Sequence, residues 1–311
     1  MLARLQRAVV FALCAFVVGW ALAACGVGHP RWAPVGLLAV LLGYLAFMAL
    51  EFVVAMCVHG DDPAPRPTFA QCARAWWGEV TTSPRVFCWE QPFRAHAVPD
   101  HLPSGTGRRG VVLVHGFVCN RGFWNGWMPR LRAAGVPHIA VNLEPVFGPI
   151  TGYAACVDQA VQRLQAATGL APVVVAHSMG GLAVRAWLAQ GGRGAHHVVT
   201  IGTPHRGTWT ARFGRGDNAR DMRGSSALLG SIEACETPAV RARFTCFYSH
   251  CDNIVFPPSV ATLDGADNRH LAATAHVALA DHPAVYDEAM RRLAQAAAPP
   301  PSSPPAPATA P

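Results

Sequence analysis

Residues 173–181 read Val-Val-Val-Ala-His-Ser-Met-Gly-Gly: a β-branched run, a serine among small residues, then a helical pattern from Met179. A serine on a sharp strand-to-helix turn exposes its hydroxyl at the end of a sheet. The helix start behind it offers free backbone N–H groups to a developing oxyanion. Ala176 stands where such turns usually carry glycine; the extra methyl removes no reacting group. At neutral pH a serine hydroxyl needs a base, and the base needs an orienting acid. Downstream, Phe244–Ser249 reads as a strand and Asp252 stands just past its end, where such an acid belongs; Asp264, Asp267 and Asp281 compete from loop-like stretches. For the base, the chain order of serine, acid, histidine leaves His270, His276 and His282. His276 lies in a loop leading toward the final helix, His282 precedes Pro283 as a helix-start residue, and His250 comes before the acid. An oxyanion site takes one N–H from the residue after the nucleophile and another from an earlier strand-end loop. Those are Met179 and, after the apolar run Val111–Val114 and His115-Gly116, Phe117. The chemistry so assembled is acyl transfer through a serine.

These groups need a sheet edge. Apolar runs at 111–114, 138–142, 173–176, 197–201 and 244–249 alternate with helical stretches at 123–134, 152–168, 179–190 and 283–296. The alternation predicts an α/β domain over 109–297, a mostly parallel sheet with helices on both faces. Residues 208–240 break the alternation. The proline-punctuated stretch 59–108 reads as a connector, with a short interfacial or domain-packed helix at Phe69–Trp77. Residues 298–311, mostly Pro, Ala and Ser, read as a disordered tail.

Residues 8–28 carry no charged side chain, and in 32–58 the only charge is Glu51. Each run is long enough to span a bilayer as a helix, so 1–58 reads as a two-helix membrane anchor turning at Gly28-His29-Pro30-Arg31. Arg4 and Arg7 before the first span favour both ends in the cytoplasm of a bacterial inner membrane. The alternative is a cleaved leader lipidated at Cys25, in the box Leu22-Ala23-Ala24-Cys25. The net charge is +7, all 25 basic residues being arginine, but they are scattered, which argues against nucleic acid and for anionic headgroups. The ten cysteines form no CxxC pair or zinc spacing and read as reduced thiols, although Cys235, Cys246 and Cys251 are close enough for one bridge.

Residues 110–296 resemble bacterial lipases and esterases of the α/β-hydrolase superfamily. The resemblance is carried, in order, by His115-Gly116-Phe117, Ala176–Gly181, Thr200–Thr208, Asp252–Val255 with Gly265–Asn268, and Ala275–Leu279. It implies an α/β-hydrolase fold with a small cap at about 208–240, and does not cover the two transmembrane helices before it, the connector or the tail. It implies a carboxylic ester hydrolase with Ser178, Asp252 and His276 as catalytic residues, His276 ahead of His270, and Phe117 and Met179 as the oxyanion hole. His205 then belongs to a structural turn shaping the acyl pocket, and His177 points away from the reacting edge. No cofactor and no metal are expected. The expected partners are an ester or acyl-lipid substrate and the membrane. The alternatives are a thioesterase or acyltransferase on the same residues, or an inactive hydrolase-fold membrane scaffold.

Overall fold

In the computed structural model, which describes residues 1–105 and 107–295, the apolar runs become six strands. They are β1 (Val111–Val114), β2 (His138–Ala140), β3 (Val173–His177), β4 (His197–Ile201), β5 (Phe244–Tyr248) and β6 (Asp267–His270). All pair in parallel, in the order β2-β1-β3-β4-β5-β6. The register of β1 on β3, Val111 opposite Val173 through Val114 opposite Ala176, sends alternate residues to opposite faces. Val112, Val114, Val174 and Ala176 join one core; Val111, Leu113, Val173 and Val175 join the other. With both faces covered, no position on these strands has to be polar, which is why they read as unbroken apolar runs. β6 was not visible as a strand: its Asp-Asn-Arg-His stretch sits at the sheet edge, is mostly exposed, and has no apolar alternation to show.

Eleven α-helices lie among the described residues. The first four are α1 (Leu2–Gly26), α2 (Val35–Val58), α3 (Phe69–Pro84) and α4 (Gln91–Arg94). Next come α5 (Met128–Ala133), α6 (Ala154–Thr168), α7 (Met179–Ala189) and α8 (Asp217–Asp221). The last three are α9 (Ala227–Cys235), α10 (Pro238–Arg241) and α11 (Pro283–Ala294). α6, α7 and α9 cover one face of the sheet, and α5 and α11 the other. The helix expected over 123–134 is a 3-10 turn, Arg121–Gly126, followed by α5. Pro129 near the start of α5 lacks the N–H that a continuous helix would use. Residues 208–240 form a helical cover of α8, α9, α10 and a 3-10 turn at Trp209–Phe213. It is tied down from beneath: the buried Arg185 guanidinium grips Glu236 at 2.7 and 2.8 Å and donates to the His205 carbonyl at 2.8 Å. The tail at 298–311 lies outside the described residues.

The largest departure is in 59–108, read as a connector. Thr68 and Gln71 close a capping box on α3, two reciprocal bonds that satisfy otherwise free N–H groups. Beyond Pro84, which removes one helical hydrogen bond, the chain widens through a π-helical segment, Arg85–Glu90, into α4. α3 lies along α2, where the Tyr44 hydroxyl donates to the Val80 carbonyl at 3.1 Å, and α4 meets α1 through Gln6 and Gln91 at 3.4 Å. Cys72, Ala75, Glu79 and Ser83 are buried, whereas Phe69, Trp77 and Trp89 stand 86%, 63% and 54% exposed beside the two apolar helices. α1 and α2 are long and apolar enough to cross a membrane, and Trp20 closes their turn by donating to the Trp32 carbonyl at 2.9 Å.

Candidate active site

Ser178 follows β3 and precedes α7 with φ 54° and ψ −131°, a backbone conformation unfavourable for any residue with a Cβ. Its N–H donates to the Ile201 carbonyl at 2.8 Å, and its own carbonyl accepts from the Thr203 hydroxyl at 2.9 Å, so β4 and the loop after it hold the turn. The start of α7 must be bare: a Cβ on Gly180 would lie 2.5 Å from the His115 carbonyl oxygen, and one on Gly181 would lie 2.1 Å from Thr203 Oγ1. At the first helical position, the Met179 N–H has no intrahelical acceptor. Phe117 and Ser178 line one pocket of about 240 Å³, whose other walls include Ala211, Ala219, Met222 and Val255 with Thr208 and Thr210. His115 serves the scaffold. Its Nδ1 donates to the Gly116 carbonyl at 2.9 Å, its Nε2 accepts from the Leu143 N–H at 3.0 Å, and burial pushes its pKa down to about 4.

Asp252 and His276 arrive from the loops after β5 and β6. Asp252 Oδ1 accepts from the N–H groups of Ile254 at 2.9 Å and Val255 at 2.7 Å, which leaves Oδ2 to accept from His276 Nδ1 at 2.8 Å. Both side chains are buried. Gly202, at φ 55°, makes room for the pair: a Cβ there would lie 3.1 Å from both Asp252 Oδ2 and His276 Nδ1. Burial alone would lower the His276 pKa; the bonded Asp252 carboxylate, with Glu79 and Glu51 further off, outweighs burial and holds it above the usual 6.5. A protonated His276 cannot accept a proton from serine. Were His276 the base for Ser178, hydrolysis would rise with pH through the folded-state pKa of His276, with the midpoint of the acid limb of kcat/KM above 6.5; a pH–rate profile checks this.

The competing residues are engaged elsewhere. Asp267 is bound by Arg269 at 2.7 Å, Asp281 by Arg85, and Asp264 is an exposed residue at the surface. His270 packs between the rings of Tyr248 and His250, and His282 caps α11, its Nδ1 accepting from the Ala284 N–H at 3.2 Å. His205 is buried, with Nε2 3.0 Å from the Thr200 hydroxyl. His177 lies beneath the histidine loop: it stacks on Phe123 with ring centres 4.5 Å apart, and its Nε2 donates to the His276 carbonyl at 3.1 Å. Among the described residues no group of three or more His, Cys, Asp or Glu side chains could hold a metal ion.

Sequence reasoning missed two supports. Glu79 of α3, itself buried, accepts from the N–H groups of Val277 and Ala278, each at 3.2 Å. Desolvation raises its pKa, opposed by His276 and those two amides. Asn253 accepts from the His276 N–H at 3.1 Å. Nothing in the local sequence marks Glu79, and Asn253 lies in the Asp252–Val255 stretch with no sign of a role of its own; the signal is that both meet the loop carrying His276.

The profile of the Alpha/beta hydrolase family matches residues 111–310, which takes in the whole sheet and the loops just described. The chain belongs to the alpha/beta hydrolase family. Membership supports hydrolase chemistry, and the chain adds two membrane-length apolar helices to the family domain. Among solved structures, the mature form of the Bacillus licheniformis lipase BlEst2 superimposes with a TM-score of 0.54 at 15% identity, over 63% of this chain and 96% of that one. Its propeptide form gives 0.54 at 16% identity, over 64% of this chain and 53% of that one. At these identities the likeness is one of fold. No curated protein matches this alpha/beta hydrolase chain.

Proposed function

We propose that this alpha/beta hydrolase is a membrane-anchored, lipase- or esterase-like serine hydrolase that cleaves carboxylic esters. The observation that carries the reading is the 2.8 Å bond between His276 Nδ1 and a buried Asp252; a serine on a strained strand-to-helix turn supports it, its N–H bonded to the carbonyl of Ile201, the residue before the Gly202 that faces the pair. In this mechanism Ser178 Oγ attacks the ester carbonyl carbon while His276 Nε2 takes its proton. The carbonyl oxygen becomes an oxyanion that the N–H groups of Phe117 and Met179 receive. His276 then protonates the departing alcohol oxygen as the ester C–O bond breaks. Water, losing its proton to His276, attacks the acyl-enzyme, and His276 returns that proton to Ser178 Oγ as the acyl C–O bond breaks and the acid is released. Asp252 fixes the imidazole with Nδ1 protonated and Nε2 free, the tautomer a base requires.

The pocket that Ser178 lines is mostly apolar, walled by Phe117, Ala211, Ala219, Met222 and Val255 with Thr208 and Thr210, so it suits an acyl chain better than acetate. Each buried methylene contributes about 0.8 kcal/mol. Lengthening a p-nitrophenyl ester from four to eight carbons should therefore raise kcat/KM by up to about 200-fold if all four added groups are buried. A steady fall from C2 to C8 would remove the acyl-lipid assignment.

The hairpin places the domain at the membrane. The Met1 end of α1 reaches Glu144 at 3.1 Å, and Phe52 of α2 packs with Cys251 and Ala275, so α1 begins, and α2 ends, against the family domain. Chain start and catalytic domain then share one side. Arg4 and Arg7 resist translocation, and that side is the cytoplasm in this reading. Expressed in bacteria, a C-terminal green fluorescent protein fusion should be bright and the matching alkaline phosphatase fusion inactive; the opposite pattern reverses the sidedness.

A further inference from the structure

We infer that the second apolar helix completes the active site, with Glu51, acting through Asn253, as a positioning residue for His276. The inference rests on the hydrolase reading above and names a part of that site contributed by the membrane hairpin. Asn253 directly follows Asp252 and is 1% exposed. Its Oδ1 accepts from the His276 N–H at 3.1 Å, and its Nδ2 donates to Glu51 Oε2 at 2.7 Å. A primary amide has a donor end and an acceptor end, and its neighbours decide which way it points. A carboxylate only accepts, so Glu51 draws the Nδ2 end to itself and leaves Oδ1 facing His276. Without that acceptor, the amide either keeps a buried N–H unpaired or flips and sets its N–H against the His276 N–H. Either outcome loosens the loop that carries the base.

Two further carboxylates of the same N-terminal segment hold the neighbouring loops. Asp62 accepts from the Ser259 N–H at 3.1 Å and from its hydroxyl at 2.5 Å, and Glu79 takes the Val277 and Ala278 amides. Glu51 is the one aimed at the residue between acid and base. It is also the only charged residue in 32–58, a place where a charge has a cost unless it is partnered. A base displaced by about 1 Å loses on the order of 100-fold in rate, a loss that falls on kcat while the acyl pocket keeps its walls.

The test uses the full chain in phosphatidylcholine nanodiscs, with p-nitrophenyl butyrate hydrolysis and fluorophosphonate labelling of Ser178 as readouts. Glu51→Leu should lower kcat about 10- to 100-fold with KM within about twofold. Glu51→Gln, whose carbonyl oxygen still accepts, should stay within about threefold of wild type. In an Asn253→Ala background, Glu51→Leu should add less than about twofold, because the two residues act in series. If the leucine variant does not fold, Glu51→Ser, too short to reach Asn253, replaces it with the same expected loss. Wild-type kcat in the leucine or serine variant, a glutamine variant as slow as the leucine one, or full additivity with Asn253→Ala overturns the positioning role. A wild-type chain that neither labels nor hydrolyses overturns the hydrolase reading and this inference together; a wild type that labels while Glu51→Leu labels equally fast overturns the inference alone.

Discussion

Asp252→Asn is expected to lower kcat/KM by about 10⁴-fold while leaving the fold intact. The size follows from which oxygen does what. Oδ1 is committed as acceptor to the Ile254 and Val255 N–H groups, so in the variant the amide oxygen stays there and the amide nitrogen takes the place of Oδ2. That nitrogen is a donor facing His276 Nδ1, 2.8 Å away in the native pair. Nδ1 must then accept, its proton moves to Nε2, and the atom that should take the serine proton already carries one. Volume and burial hardly change. Steady-state hydrolysis alongside thermal unfolding checks this: a variant with near-native activity would mean that Asp252 does not set the tautomer.

Ser178→Ala should remove activity by about 10⁴-fold or more, leaving only the residual that an oxyanion site and substrate binding provide. The bonds that hold this turn, to the Ile201 carbonyl and from the Thr203 hydroxyl, involve only the backbone of residue 178 and survive the change. The unfolding temperature should therefore stay within a few degrees of wild type while fluorophosphonate labelling disappears. The paired comparison concerns the base. His276→Ala should match the serine variant, whereas His270→Ala, which loses only ring contacts to Tyr248 and His250, should keep most of the activity. The reverse order would transfer the base to His270.

The parts of the fold that sequence made legible are those where burial is two-sided or periodic. β1, β3 and β4 show as apolar runs because helices cover both faces, and α6 shows through the inward set Val157, Ala160, Val161 and Leu164. β6 has only an exposed edge and carries no such mark. The helix run from Phe69 to Arg94 was harder for the opposite reason. Its buried face is small or polar (Cys72, Ala75, Glu79, Ser83) and its exposed face is aromatic, so the usual inside–outside contrast is inverted beside two apolar helices. At the site, Ser178 and Asp252 stand just past recognisable strand ends, and His276 lies in a loop leading to a recognisable final helix. Glu51 and Glu79 have no such neighbour and matter through partners about 200 positions away; Asn253 directly follows Asp252, but its contact with His276 lies 23 positions on.

Those separations also impose an order in time. Glu79 meets Val277 across 198 residues and Glu51 meets Asn253 across 202. At roughly 5–20 residues per second of synthesis, about 10–40 s pass between the emergence of each carboxylate and that of its partner. By then the hairpin has already been made, so the histidine loop closes onto a docking site that precedes it in synthesis. Under the proposed mechanism, Ser178 leaves the ribosome 98 residues before His276, the base assigned to it. The nascent serine turn would then be chemically silent until the histidine loop joins it.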